Sequence, residues 1–465
     1  MENPGKFDVD LALLQKYNQP GPRYTSYPTA PQFHSGFQGG NYEEAIAVSN
    51  RENPEGELSL YFHLPFCHSL CYFCGCNMIV TRNAGRVERY LTYLRKEIDL
   101  VSKQIDPRRE VVQLHWGGGT PTYLSPAQIR EIFGYIREHF NLAKDAEISI
   151  EIDPRRLAPD HLSTLREVGF NRVSFGVQDF HPEVQQAINR IQSDEQNRYV
   201  IEESRRLGFD SINVDLIYGL PFQTLDSYEQ TLDQVIELSP DRLAVFNYAH
   251  VPWMKKHQQL LPEAEMPSAA DRLRLLKLII ERLTEAGYVY IGMDHFAKPE
   301  DELTEALHNH TLHRNFQGYS TRAGAEVFAM GITSISQLNN VYAQNVKDIK
   351  TYEEMLDRGE LPTHVGYQLS EDDHIRRFVI TELMCNNRLR KADVHDRFGI
   401  DFDDYFAAAL PGLAPFIEDE LLSVFPDRIQ VHEDGRLVIR NIAMVFDAYL
   451  QKDRAQAQPI YSRTV

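Results

Sequence analysis

The segment Leu58–Asn77, LSLYFHLPFCHSLCYFCGCN, decides the fold class. Its first part, LSLYFHLP, is a short apolar and aromatic run of the kind that forms a strand. Its second part places Cys67, Cys71, Cys74 and Cys76 on the loop that follows. Outward from this segment the same pattern recurs in VVQLHWGG (111–118), EISIEIDP (147–154), RVSFGVQD (172–179), SINVDLIYGLP (211–221) and RLAVFNYAH (242–250), with helical-period sequence between the runs. A repeated βα unit with right-handed crossovers puts its strands in one parallel sheet with helices outside. The expected class is therefore α/β, and six such units predict an incomplete, six-stranded TIM-like barrel rather than a closed eight-stranded one. Chemistry in such folds gathers at the carboxyl ends of the strands, where the cysteine loop falls. A seventh run, YVYIGMDHFA (288–297), is expected at the edge of the sheet.

Residues 1–55 are rich in Pro, Gly, Tyr and Asn and lack a sustained period, so they read as an N-terminal arm that must lie on something else. Residues 56–365 form the expected catalytic domain. Residues 366–465 are helix-rich and carry one hairpin signal, RIQVHEDGRLVIRN (428–441), which predicts a small helical or winged-helix-like domain.

With 48 Lys and Arg against 67 Asp and Glu, the chain of 465 residues has a formal charge of -19. That balance repels polyanions, and no basic run offsets it, so nucleic acid is not an expected partner. The sequence shows neither a signal-peptide pattern nor a membrane-length apolar stretch, which makes a cytoplasmic enzyme without a membrane partner the expectation. Of the five cysteines, four lie in residues 67–76, a ligand cluster rather than a disulfide framework. Cys385 stands alone and reads as a small buried hydrophobe.

Three thiolates at C-x-x-x-C-x-x-C suit three irons of a four-iron four-sulfur cluster and leave the fourth iron open to a ligand. The alternative is tetrahedral zinc on Cys67, Cys71, Cys74 and Cys76, with His63 or His68 substituting, but Cys74 and Cys76 are cramped for one ion and no second C-x-x-C pair follows. Gly117, Gly118 and Gly119 end the second strand, where they either let the backbone approach an amino-acid ligand or simply make a tight turn. Glu151 and Asp153 share one strand face and suit a ribose or an ammonium, unless they are solvated strand-end charges. Gln178 ends the fourth strand. Asp215 has apolar neighbours, so a cationic ligand or an arginine is expected beside it, with Arg190 the candidate.

Cys67, Cys71 and Cys74, with Phe73 before the third, resemble the radical S-adenosylmethionine signature. The motifs HLPFCHSLCYFCGCN, HWGGGTPTYL, EISIEIDPR, GVQDF, NVDLIYGLP, VFNYAH, IGMDHFA and HRNFQGY, in that order, resemble the oxygen-independent coproporphyrinogen III oxidase family over nearly the whole chain. The resemblance implies a four-iron four-sulfur cluster on Cys67, Cys71 and Cys74 and two S-adenosylmethionine molecules. It assigns Tyr61, Phe73, Gly118, Glu151 and Ile335 to the first molecule. Gly119, Thr120, Gln178, Arg190, Asp215 and Ala249 go to the second. Tyr61, Cys76 and Gln317 are implied as catalytic residues. The implied reaction is oxidative decarboxylation of two propionates of coproporphyrinogen III to vinyl groups, giving protoporphyrinogen IX for heme biosynthesis. It needs an unidentified electron donor and acceptor, and a monomer is expected. Arg23, Arg314 and Arg322 are candidates for the substrate carboxylates.

Two rivals are weighed against this. A heme-handling relative would lack the fourth cysteine and the HRNFQGY segment, both present here. A non-catalytic metal module would bind a protein through the C-terminal region, and would be recognised by zinc without a brown chromophore.

Overall fold

The computed structural model describes residues 7–450 and 461–464. These residues form two compact units, one of residues 33–267 and 324–368, the other of the described parts of 1–32, 268–323 and 369–465.

In the first unit every expected run becomes a strand: β1 (Leu58–Leu64), β2 (Glu110–Gly118), β3 (Asn141–Ile152), β4 (Arg172–Gln178), β5 (Ser211–Tyr218) and β6 (Arg242–Asn247). Each pairs in parallel with the next, from β1 against β2 through β5 against β6. Chain order and sheet order thus coincide, as they must when each crossover returns on the same side of the sheet. The far side of β1 is taken by a parallel β7 (Glu326–Met330), which sequence patterning had not marked. Antiparallel β8 (Ile335–Gln337), β9 (Val341–Asn345) and β10 (Thr363–Gln368) extend the sheet from there.

Burial is nearly continuous along β1 and alternates along β3 and β4, so the sheet is packed most completely on both faces at β1. On β1, Leu58, Leu60, Phe62 and Leu64 are buried, and so are the intervening Ser59 and His63. The helix Pro126–His139 opens with a Ser125–Gln128 capping box and Pro126 at its first turn. Its Phe133 ring packs against Trp116 of β2 and against Phe170, with ring centres 6.2 and 5.2 Å apart. Residues read as an irregular arm also contain the helix Gly39–Glu52, whose Tyr42 hydroxyl donates to Ser336 Oγ at 2.8 Å.

In the second unit the run 288–297 folds as a ribbon of Val289–Gly292 antiparallel to His295–Ala297, turning at Met293 with a positive φ of 53°. The hairpin expected at 428–441 does not form. Arg428–Val431 is a strand, but it pairs with Leu422–Val424 and Arg388–Arg390, and the chain then turns into the helical segments Asp434–Val438 and Ile439–Ala443. Gly435, within this segment, is buried with no room for a Cβ, which would lie 2.1 Å from Leu421 O. Leu437, Val438, Ile439, Ile442 and Ala443 are all buried, and a consecutive apolar run without alternation buries itself as well in a helix as in a strand.

Candidate functional site

The cysteine loop is tied at both ends by backbone. Phe66–Cys67 pairs in parallel with Ile79–Val80, and the Cys74 N–H donates to Cys71 O at 3.1 Å to close a tight turn. The glycine run fits against it. Gly119 N–H donates to Leu64 O at 2.9 Å, and a Cβ on Gly119 would lie 2.5 Å from Pro65 O, so only glycine permits this approach. Gly118, at a φ of 116°, directs its N–H to Glu151 Oε2 at 3.0 Å.

Each thiol has its own surroundings. Cys67 Sγ lies 3.5 Å from Thr120 Oγ1, and burial pushes its thiol up to about 12. Cys71, which is buried, accepts from Arg155 Nη2 at 3.4 Å and from Arg190 Nη1 at 3.6 Å. A hydrogen bond from the Cys76 side chain holds Cys74 down at about 7, and the same bond with burial raises Cys76. Among the described residues no three His, Cys, Asp or Glu side chains are placed to share one metal ion. Three thiolates that each hold a different iron need no common centre, so the donor set fits a multi-iron cluster better than zinc.

Around the loop stand the strand-end side chains. Tyr61 OH is 3.1 Å from His63 Nδ1, and His63 Nε2 is 2.9 Å from Asn77 O. The carbonyl can only accept, so Nε2 carries the proton and Nδ1 receives the phenol hydrogen. Burial lowers the His63 pKa and keeps the ring neutral. Glu151 accepts from Gly118 and lies 3.5 Å from His115 Nε2. Burial raises its carboxyl, but His115 and the Gly118 N–H outweigh that, for a net lowering.

Asp153 does not stand free for a ribose. It binds Arg155 Nη2 at 2.6 Å and Arg190 Nη1 at 3.3 Å, and against the opposing effect of burial these guanidiniums hold it at about 2. Arg190 therefore bonds to Asp153 and Cys71 and reaches Asp215 through its charge alone. Asp215 instead accepts from Asn213 Nδ2 at 2.7 Å and Ser174 Oγ at 3.3 Å, and burial, then repulsion from Glu151, pushes it up to about 7. Gln178, at a φ of 73°, buries its Oε1 without a partner, as Arg190 buries its Nε. Such orphaned polar atoms at strand ends fit a polar ligand.

The Phe73 ring packs on a cluster containing Ile188, Leu220 and Tyr248. Ile335 begins β8, and Ala249 is exposed just beyond β6. Gln317 belongs to the other unit, as do Arg23, Arg314 and Arg322. Arg23 is already paired with Asp294.

Residues 61–235 match the Radical SAM superfamily and residues 369–438 the HemN C-terminal domain. The oxygen-independent coproporphyrinogen III oxidase of Synechocystis sp. is 48% identical over 462 residues, covering 98% of each chain. That of Escherichia coli is 49% identical over 452 residues, covering 97% of this chain and 98% of its own. A solved structure described as coproporphyrinogen III oxidase (HemN) from Escherichia coli, a radical SAM enzyme, superposes with a TM-score of 0.91 at 47% identity, covering 96% of this chain and all of the other. The chain belongs to the oxygen-independent coproporphyrinogen III oxidases.

Within this member of the family, sequence reading missed four residues that hold the cysteine loop. Arg155 is one. The others follow β6: Lys255 Nζ donates to Cys76 O at 3.0 Å, His257 Nε2 lies 2.7 Å from Cys74 O, and Gln258 Nε2 donates to Phe73 O at 3.1 Å. Their only trace in the sequence is the polar tetrapeptide KKHQ (255–258).

Proposed function

We propose that this chain carries out the oxygen-independent oxidation of coproporphyrinogen III, converting two propionates to vinyl groups to give protoporphyrinogen IX in anaerobic heme biosynthesis. The observation that carries the reading is the loop of Cys67, Cys71 and Cys74 at the carboxyl end of β1, backed by arginines and flanked by polar strand ends with unused hydrogen-bonding capacity. When bound, a four-iron four-sulfur cluster and S-adenosylmethionine supply the one-electron chemistry that removes hydrogen from a propionate side chain.

The chain's own residues bind and orient. Cys67, Cys71 and Cys74 hold the cluster, and Arg155 and Arg190 donate to the Cys71 sulfur and orient it. Tyr61, Phe73, Gly118, Glu151 and Ile335 are assigned to the first S-adenosylmethionine: Glu151, kept ionised, accepts hydrogen bonds, and Phe73 offers an apolar surface. Gly119, Thr120, Gln178, Arg190, Asp215 and Ala249 are assigned to a second, where the raised carboxyl of Asp215 is satisfied best by a cationic ligand. Tyr61, Cys76 and Gln317 are assigned to catalysis. The six parallel strands act as an incomplete barrel within a catalytic region of residues 56–365, with an arm before it and a helical region of residues 366–465 after it. An electron donor and an acceptor are required, and the monomer is taken as the working form in the cytoplasm.

The test is anaerobic incubation of iron-loaded protein with coproporphyrinogen III, S-adenosylmethionine and a reductant. Product mass should show loss of two carboxyl groups as carbon dioxide; unchanged substrate with a full complement of iron would overturn the reading.

A further inference from the structure

The unit that contains residues 268–323 and 369–465 holds two arginines, Arg314 buried and Arg436 half-buried, for which the site above has no use. Arg314 lies on the strand His313–Asn315, opposite Tyr319 of Gly318–Ser320, and its guanidinium is 4.7 Å from the Tyr319 ring centre. Only 6% of Arg314 is exposed, and its Nε and Nη1 are buried without a hydrogen-bond partner. Arg436, in Asp434–Val438, stacks 5.3 Å from the Tyr290 ring centre and donates through Nη2 to Tyr290 O, while its Nε is buried without a partner. Both guanidinium charges act on the Tyr319 phenol. Among the described residues neither arginine forms an ion pair, and Glu433 acts on Arg436 only from a distance.

A guanidinium stays protonated at any ordinary pH, so burial cannot neutralise it. Removing its N–H groups from water without acceptors is costly, and a second cation acting on the same phenol adds repulsion instead of relief. Stacking on Tyr319 and Tyr290 holds the planar forks in place but satisfies none of the in-plane N–H groups. The partner that removes the cost is a planar anion of matching fork geometry, which is a carboxylate.

We propose that Arg314 and Arg436 form a carboxylate-binding site, and, resting on the function proposed above, that its ligand is a propionate of the tetrapyrrole. Anchoring a side chain that does not react fixes how the macrocycle lies, so these are specificity residues rather than groups that touch the reacting carbon.

Coproporphyrin III, the air-stable oxidised form of the substrate, can be titrated into the full-length, iron-loaded chain by fluorescence quenching, beside its tetra-amide, which keeps the ring but loses the charges. Wild type should bind the tetracarboxylate at least about tenfold more tightly than the tetra-amide, the effect of losing one charge-assisted pair. Arg314→Gln and Arg436→Gln should each weaken the tetracarboxylate about tenfold, leave tetra-amide binding and S-adenosylmethionine binding as in wild type, and recover in part as Arg314→Lys and Arg436→Lys. Variants that keep the wild-type melting temperature and bind the tetracarboxylate undiminished would overturn the site. If the glutamine variants do not fold, the wild-type comparison still decides: equal affinity for tetracarboxylate and tetra-amide rejects the proposal. A wild type that neither binds coproporphyrin nor turns over coproporphyrinogen would instead refute the function proposed above.

Discussion

The two ends of the parallel sheet treat buried polar groups in opposite ways. At the amino ends, Arg109 donates to Gly56 O at 2.8 Å, Ser49 Oγ at 2.9 Å and Glu326 Oε2 at 2.7 Å, and Ser49 in turn bonds to Glu326. Glu326 Oε1 takes the Asn339 N–H at 2.8 Å. The side chains of this pair are 0% and 6% exposed, and every group answers another. At the carboxyl ends, Gln178 and Arg190 keep polar atoms without partners, and Asp215 is partnered by neutral donors alone. A closed network has no capacity left for a ligand and serves stability. An open one costs stability and is retained where something binds.

The sharpest way to break this comparison is to remove cysteines one at a time. Ala in place of Cys67, Cys71 or Cys74 should abolish iron and sulfide retention, the brown chromophore and all S-adenosylmethionine cleavage. Cys76→Ala should keep its iron and lose activity. If Cys76→Ala lost iron as completely as Cys71→Ala, the three-ligand assignment would be wrong.

At the opposite end the expected effect is on folding alone. Arg109→Ala leaves Glu326 buried and uncompensated, a loss of about 3–5 kcal/mol by denaturant titration. Replacing both Arg109 and Glu326 with apolar residues of similar volume should recover much of it. Iron content and turnover per folded molecule should be unchanged, and a selective loss of turnover would show that the two ends are not separable.

A change in the pH dependence of stability and the most specific binding effect are expected at Asp215. Its carboxyl rises from 3.8 to about 7 on folding, so the native state holds a proton that the unfolded chain releases. Its contribution is therefore complete below 3.8 and is lost as the pH climbs to about 7. Asp215→Asn should flatten that part of the stability profile relative to wild type. Equilibrium dialysis should show the number of bound S-adenosylmethionine molecules falling from two to one with the iron intact. A wild-type count of one would remove the second site, and an unaltered pH profile in the variant would place the charge elsewhere.

What the sequence determined by itself follows from local physics. Runs such as RVSFGVQD, which bury Val173, Phe175 and Val177 on one face, alternate as strands must, and the short spacing of Cys67, Cys71 and Cys74 confines three thiolates to one loop whatever surrounds it. Their neighbours were not legible. Arg155, Lys255 and His257 reach the loop from later crossovers, up to 183 residues along the chain, and an arginine or lysine on a loop looks the same in sequence whether it is solvated or buried. The same limit explains why the direct bond of Arg190 to Asp153 was not foreseen, and why the expected hairpin at 428–441 became a strand followed by helix. Apolar pattern tells that a segment is buried, whereas only the space left by its neighbours tells in which conformation. Tertiary packing alone decides which charges are answered by protein and which are left for a ligand, because desolvation depends on every element around a group and periodicity records only one.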